Sequence, residues 1–165
     1  MNKTLKHGCI AALVVIASAG SALAADLPKE GTYDFIACQA GVVTPIAFSK
    51  EYQAFSYEQF GSALSKVPGG LFDKATFHCM GLRTRFNGKE TNNTVCENIL
   101  PDGEKTLSTF SLKADGTYDR QFVAGTGKYE GMISSGTTES LGPFPTIKAG
   151  TFQFCNHQTG TYKLK

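Results

Sequence analysis

The stretch Phe77-His78-Cys79-Met80-Gly81-Leu82-Arg83-Thr84-Arg85-Phe86-Asn87-Gly88-Lys89-Glu90-Thr91-Asn92-Asn93-Thr94-Val95-Cys96-Glu97 decides the fold. Asn87-Gly88 is a strong type I′ turn signal, because both central residues of that turn need positive φ. A two-residue loop there makes Phe86 and Lys89 hydrogen-bonded partners, and every pair outward follows. Arg85 then faces Glu90, Met80 faces Val95, His78 faces Glu97 and Cys79 faces Cys96. Charge meets charge and apolar meets apolar, with no like charges opposed. The cysteines fall at a non-hydrogen-bonded site, where antiparallel Cα atoms come closest and a disulfide can form. The segment is therefore expected to be a β-hairpin with a Cys79–Cys96 bridge.

The remainder extends the pattern. Short runs rich in Thr, Tyr, Phe and Val recur at Tyr33–Ala37, Val42–Phe48, Lys105–Lys113, Thr117–Ala124, Lys128–Ser134, Thr151–Cys155 and Thr161–Leu164. Asp102-Gly103, Asp115-Gly116 and Gly125-Thr126-Gly127 separate several of them. Short links between consecutive strands imply antiparallel neighbours, and closure of such a meander removes its exposed edges. The expected fold is all-β: an antiparallel meander closing into a barrel of about eight strands. Residues 51–66 are the one ambiguous window, with Tyr52, Phe55, Phe60 and Leu64 near helical spacing and Phe55-Ser56-Tyr57 readable as strand. Gly-Thr-aromatic recurs at Gly31, Gly116, Gly150 and Gly160, read as glycine ending a turn and Thr opening a strand.

The first residues carry a different message. Lys3 and Lys6 precede an apolar run, Ile10 to Ala17, and Ala22-Leu23-Ala24 supplies a small-x-small cleavage pattern. Residues 1–24 are read as a cleaved export signal and residues 25–165 as one domain, placing the protein in the periplasm or outside the cell. Cleavage leaves 141 residues, and with Lys3 and Lys6 gone 14 basic residues face 14 acidic ones. A neutral chain with no basic run has no electrostatic footprint for nucleic acid or for an anionic membrane surface. No later segment is apolar enough to insert into a membrane as a helix. The remaining cysteines are even in number, which in an exported chain reads as disulfides. With Cys79–Cys96 set by the turn, Cys38–Cys155 follows by elimination and ties the first strand to one of the last.

Motifs for phosphate chemistry fail on inspection. Gly125-Thr126-Gly127-Lys128 would need Gly where Phe122 stands and Ser or Thr where Tyr129 stands to be a Walker loop. A dinucleotide site would need a helix after the glycines, and a strand is expected there instead. No cofactor is expected. Gly125-Thr126-Gly127-Lys128-Tyr129-Glu130-Gly131, followed by Gly136, is similar to the Gly-rich strand-turn of the allene oxide cyclase and dirigent-like barrel superfamily. Small secreted bacterial proteins also carry such segments. The resemblance implies an eight-stranded antiparallel barrel with an apolar cavity, and plant members hold a reactive apolar substrate in one conformation. It places no catalytic residue on this chain, whose cysteines depart from the cyclase pattern.

Few side chains suggest chemistry. His78 with Cys79, and Cys155 with His157, could in principle offer zinc ligands, but neighbouring strand residues point to opposite faces and an oxidising compartment favours disulfides. Asp115 and Asp119 provide too few oxygens for calcium. No metal is expected. His78 opposite Glu97 is the weak acid/base candidate, set against an ordinary cross-strand ion pair. The aromatics are the larger resource: Tyr33, Phe110, Tyr118, Tyr129 and Phe154 are candidate liners of an internal ligand site, with tyrosine hydroxyls as polar handles. Three readings follow. The first is a non-catalytic barrel binding a small apolar molecule or associating with an envelope component. The second is a cyclase or isomerase using the same cavity, and the third a structural or protein-interaction module with a filled core.

Overall fold

A computed structural model describes residues 27–142 and 144–165. The export signal read at residues 1–24 lies outside the described residues. Eight strands follow one another: β1 (Glu30–Ala47), β2 (Tyr52–Ser65), β3 (Thr76–Phe86), β4 (Lys89–Ile99), β5 (Lys105–Leu112), β6 (Tyr118–Gly125), β7 (Ile133–Ser140) and β8 (Thr151–Lys163). All pairings are antiparallel, in the lateral order β6-β5-β4-β3-β2-β1-β8-β7. The two ends of that order, β6 and β7, lie side by side without a ladder between them. The sheet is thus a nearly closed barrel with one unzipped seam.

The hairpin register holds at every position, with Cys79 opposite Cys96 and Phe86 opposite Lys89. Asn87 and Gly88 take φ of 49° and 79°, as the type I′ turn demands. The Cys79–Cys96 bridge has an S–S distance of 2.04 Å across a Cα separation of 4.1 Å. Cys38–Cys155, at 2.02 Å, clasps β1 to β8 in register, so it staples the meander's first strand to its last.

Some boundaries differ from expectation. Tyr33–Ala37 and Val42–Phe48 are parts of the single long β1, and Thr151–Cys155 and Thr161–Leu164 are parts of β8. The ambiguous window is β2, where Phe55, Tyr57 and Gln59 share the inner face. Of the expected strand Lys128–Ser134 only Ile133 and Ser134 are extended, as the start of β7. Gly127 and Gly131 adopt φ of 50° and 69°, outside the extended region, so a 3₁₀ turn (Gly127–Tyr129) forms and β7 begins only at Ile133. The Gly-rich stretch is therefore the barrel corner that leads into the open seam. Gly116 and Gly150 do end turns with positive φ, but Gly31 and Gly160 lie inside strands. Gly160 faces Gly136 across β7 and β8, and a Cβ on either would collide with the Tyr33 hydroxyl. That glycine pair is a seat for an aromatic ring.

One end of the barrel is plugged. Leu71, Phe72 and Ala75 of the β2–β3 connection pack with Leu100, Tyr129, Met132, Tyr162, Leu164, Tyr33 and Phe35 into the buried core. Asp73 fastens the connection by accepting from the backbone N–H groups of Ser65 (3.2 Å) and Gly69 (2.9 Å). Phe72 holds φ of 67°, a left-handed conformation that a bulky residue rarely adopts, yet its ring is almost fully buried. The plug forms a floor, and the space above it stays open.

Candidate functional site

Above the floor lies a cavity of about 660 Å³, within the range of small-molecule sites. Its lower wall is Phe35, Phe72, Ala37 and Ala63, and its upper wall includes Val43, Phe55, Phe152 and Phe154. Phe152 and Phe154 stack with centroids 6.0 Å apart, and Tyr57 meets Phe152 edge-on at the same separation. Phe144, from the β7–β8 connection, also lines the cavity. Side chains on one face of each strand build these walls, because successive residues alternate between interior and exterior.

Between floor and mouth runs a polar belt. Tyr57 donates to Asn92 Oδ1 at 2.7 Å and its hydroxyl also meets Thr94 Oγ1, while Asn92 Nδ2 donates to the Tyr118 hydroxyl at 2.8 Å. Burial pushes the Tyr57 phenol above its ordinary pKa, so it remains a neutral donor. Gln39, Gln59, Asn156 and Gln158 are buried, with Gln158 Nε2 donating to Asn156 Oδ1 at 2.9 Å. The carbonyl oxygens of Gln39 and Gln158 have no donor among the described residues.

Arg120 is the unusual member. It is only 6 % exposed, with its guanidinium carbon 4.6 Å from the Phe72 ring centre, 5.4 Å from Tyr33 and 5.7 Å from Phe110. Nη2 reaches Ser108 Oγ at 3.4 Å, and Nε and Nη1 find no acceptor among the described residues. Burial pulls the guanidinium's pKa down and the Tyr33 hydroxyl opposes it. Near the mouth the pattern differs: Arg83 and Arg85 converge on Glu90, with Arg83 Nη2 2.7 Å from Oε2 and Arg85 Nε 2.8 Å from Oε1. Hydrogen bonds from Arg83 and then Arg85 hold that carboxyl below the usual carboxylate range. Among the described residues, none that lines the cavity is Asp, Glu, His or Lys.

The expected liners divide. Phe110, Tyr118 and Phe154 line the cavity. Tyr33 lies in the floor beneath Arg120 and donates to the Ser135 carbonyl at 3.2 Å. Tyr129 is buried in the seam turn, away from the lining, with its hydroxyl 3.3 Å from Asp102 Oδ2. The acid/base pairing of His78 with Glu97 requires correction. The two are opposite in register, but both belong to the barrel's outer face. His78 Nε2 is 2.8 Å from Glu58 Oε1 and its ring stacks on Phe60 at 4.6 Å, while Glu97 accepts from Lys105 at 2.8 Å. Long side chains on neighbouring strands offered better geometry than the directly opposed pair.

The two disulfides occupy opposite faces: Cys79–Cys96 is part of the cavity wall, and Cys38 is exposed on the exterior. Among the described residues no group of three or more His, Cys, Asp or Glu side chains gathers to hold a metal. Arg120 escaped sequence reasoning although a signal existed: in Tyr118-Asp119-Arg120-Gln121-Phe122 it shares a strand face with two aromatics. No family model, curated protein or solved structure matches this chain.

Proposed function

We propose that this protein is an exported barrel that binds a small, largely apolar molecule in its interior. The observation carrying this reading is the cavity of about 660 Å³ with aromatic walls above a closed floor. A module meant only to be rigid would fill that space, since interiors pack to crystal-like density. Export is supported by the amino-terminal pattern of residues 1–24 and by two disulfides, which fit an oxidising extracellular compartment. Insertion into a bilayer is disfavoured by the outer surface. A lipid-facing barrel needs an apolar band around its whole circumference, and here the exposed large apolar side chains concentrate on β1–β4, with single ones on β6 (Val123) and β7 (Ile133) and none among the described residues of β5 and β8. The resemblance of residues 125–136 to cyclase and dirigent-like barrels agrees with a hollow interior. A cyclase or isomerase role has less support, because the cavity offers no carboxylate, imidazole or amine for proton transfer.

The test is native mass spectrometry of the protein from its own cell envelope, paired with titration by the neutral fluorophore N-phenylnaphthylamine. A co-purifying small molecule, or saturable fluorophore binding by stripped protein, is the expected result. A clean ligand-free mass together with no fluorophore binding would overturn the reading in favour of a structural module.

A further inference from the structure

The guanidinium beside the cavity floor has no acidic partner among the described residues. Arg120 cannot discharge itself by losing its proton, because a guanidinium in a protein stays protonated. Buried charges in proteins are paired with an opposite charge, and removing the pair strands them at high cost. Among the described residues Nε and Nη1 meet no acceptor, Ser108 offers a single long contact, the Tyr33 hydroxyl is the other polar neighbour, and no lining residue is Asp or Glu. The rings of Phe72, Tyr33 and Phe110 accommodate the cation but cannot accept its in-plane N–H bonds. Phe72, in the tight β2–β3 connection, holds a left-handed φ of 67° with its ring against the guanidinium. Arg120 is a cavity-lining residue, so a head group at the floor of that space lies against its guanidinium, whose Nε and Nη1 are themselves covered by protein.

Resting on the cavity-binding reading above, we propose that the ligand is an amphipathic carboxylate. Its head group accepts from Arg120 and its apolar body lies against Phe55, Phe152 and Phe154. A carboxylate suits a guanidinium because two coplanar oxygens match its N–H fork. A single negative charge is indicated over a phosphate dianion. Arg120 is the one buried guanidinium, and Arg83 and Arg85 already share Glu90 near the mouth. The polar belt of Tyr57, Asn92 and Tyr118 lies along the same wall and is satisfied within itself, so it shapes the passage without demanding a second charged group.

The experiment compares acids with their neutral isosteres on the stripped, disulfide-intact protein by calorimetry: lauric acid against dodecanol, and naphthylacetic acid against naphthylethanol. At least one acid is expected to bind about tenfold or more tighter than its alcohol. Arg120→Met is expected to weaken that acid about 30-fold or more, as loss of a buried charge partner does, and to weaken the alcohol much less, so that the acid-to-alcohol ratio collapses. Arg120→Lys keeps the charge and is expected to retain a preference for the acid. Equal binding of acids and alcohols by the wild-type protein would overturn the carboxylate assignment while leaving the cavity reading standing. Acid binding that survives Arg120→Met unweakened would overturn it too. Binding of neither acids nor alcohols, with no N-phenylnaphthylamine binding, would sink both. If Arg120→Met fails to fold, the wild-type acid-to-alcohol ratio and Arg120→Lys still decide the question.

Discussion

Replacing Arg120 by methionine is expected to stabilise the ligand-free barrel. The side chain is 6 % exposed, and two of its donor nitrogens have no acceptor among the described residues. Each unmet buried donor costs about 1–3 kcal/mol, and more when charged. Against this stand three ring contacts, at 4.6, 5.4 and 5.7 Å, each contributing about 0.5–1 kcal/mol. Methionine nearly conserves the volume and keeps a polarisable group against the rings. The net expectation is a gain of about 1–3 kcal/mol, or about 3 °C in Tm for each kcal/mol in a domain of this size. Guanidinium-chloride unfolding of the stripped protein with disulfides intact measures it directly. With a saturating anionic ligand the order should reverse, because only the wild-type protein gains the full binding contribution. A ligand-free Arg120→Met protein that is less stable than wild type by more than about 1 kcal/mol would refute the reasoning. It would mean that the aromatic contacts outweigh the lost hydrogen bonds, and the guanidinium would then be explained as core packing.

Two further predictions bear on the scaffold. Non-reducing peptide mapping is expected to return Cys38–Cys155 and Cys79–Cys96. Replacing both cysteines of the first pair by alanine should cost about 4–5 kcal/mol against about 3 for the second on the chain-entropy model, since the sequence separations are 117 and 17. Asp34, on β1, lies 2.7 Å from His157 Nε2 and 3.2 Å from Lys66 Nζ, and its carboxyl is held below the ordinary range chiefly by the hydrogen bond from His157. A depressed carboxylate contributes stability above the unfolded Asp pKa near 4 and loses it as pH falls through the folded value. The stability difference between wild type and Asp34→Asn should therefore shrink as pH falls below about 4, a trend that urea midpoints across that window would reveal or contradict.

Register was legible in the sequence because it rests on local chemistry. Asn87-Gly88 has one favoured turn, and Cys79 and Cys96 then meet at a site with disulfide geometry. The face each strand turns inward was not legible. On β3, Phe77 and Cys79 alternate with His78, Met80 and Leu82, so both faces read as apolar. The same ambiguity hid the positions of the two disulfides, one in the cavity wall and one outside. It also made His78 and Glu97 look like partners, since direct opposition in register says nothing of which diagonal neighbour a long side chain prefers. Glu58 and Lys105, on the adjacent strands, took that place. Tyr129 misled for another reason. Positive φ at Gly127 and Gly131 turned its expected strand into a corner, carrying its ring from the wall into the floor.

The distribution of polarity argues that the interior is shaped for something besides stability. Gln39, Gln59, Thr94, Thr106, Ser108, Arg120, Asn156 and Gln158 are buried, while Phe60, Leu64, Met80 and Leu82 lie exposed outside. A chain selected only to close a barrel would gain by exchanging these sets, since a buried apolar side chain contributes about 1.5–3 kcal/mol and a buried amide roughly breaks even when fully paired. Several interior groups are not fully paired: Gln39, Gln158 and Arg120 all retain unmet atoms. Unmet polar atoms on three residues that line one cavity, beside an aromatic wall and with Phe72 at positive φ in its floor, amount to stability forgone at a single place. Such concentrated cost is characteristic of a site that a ligand completes.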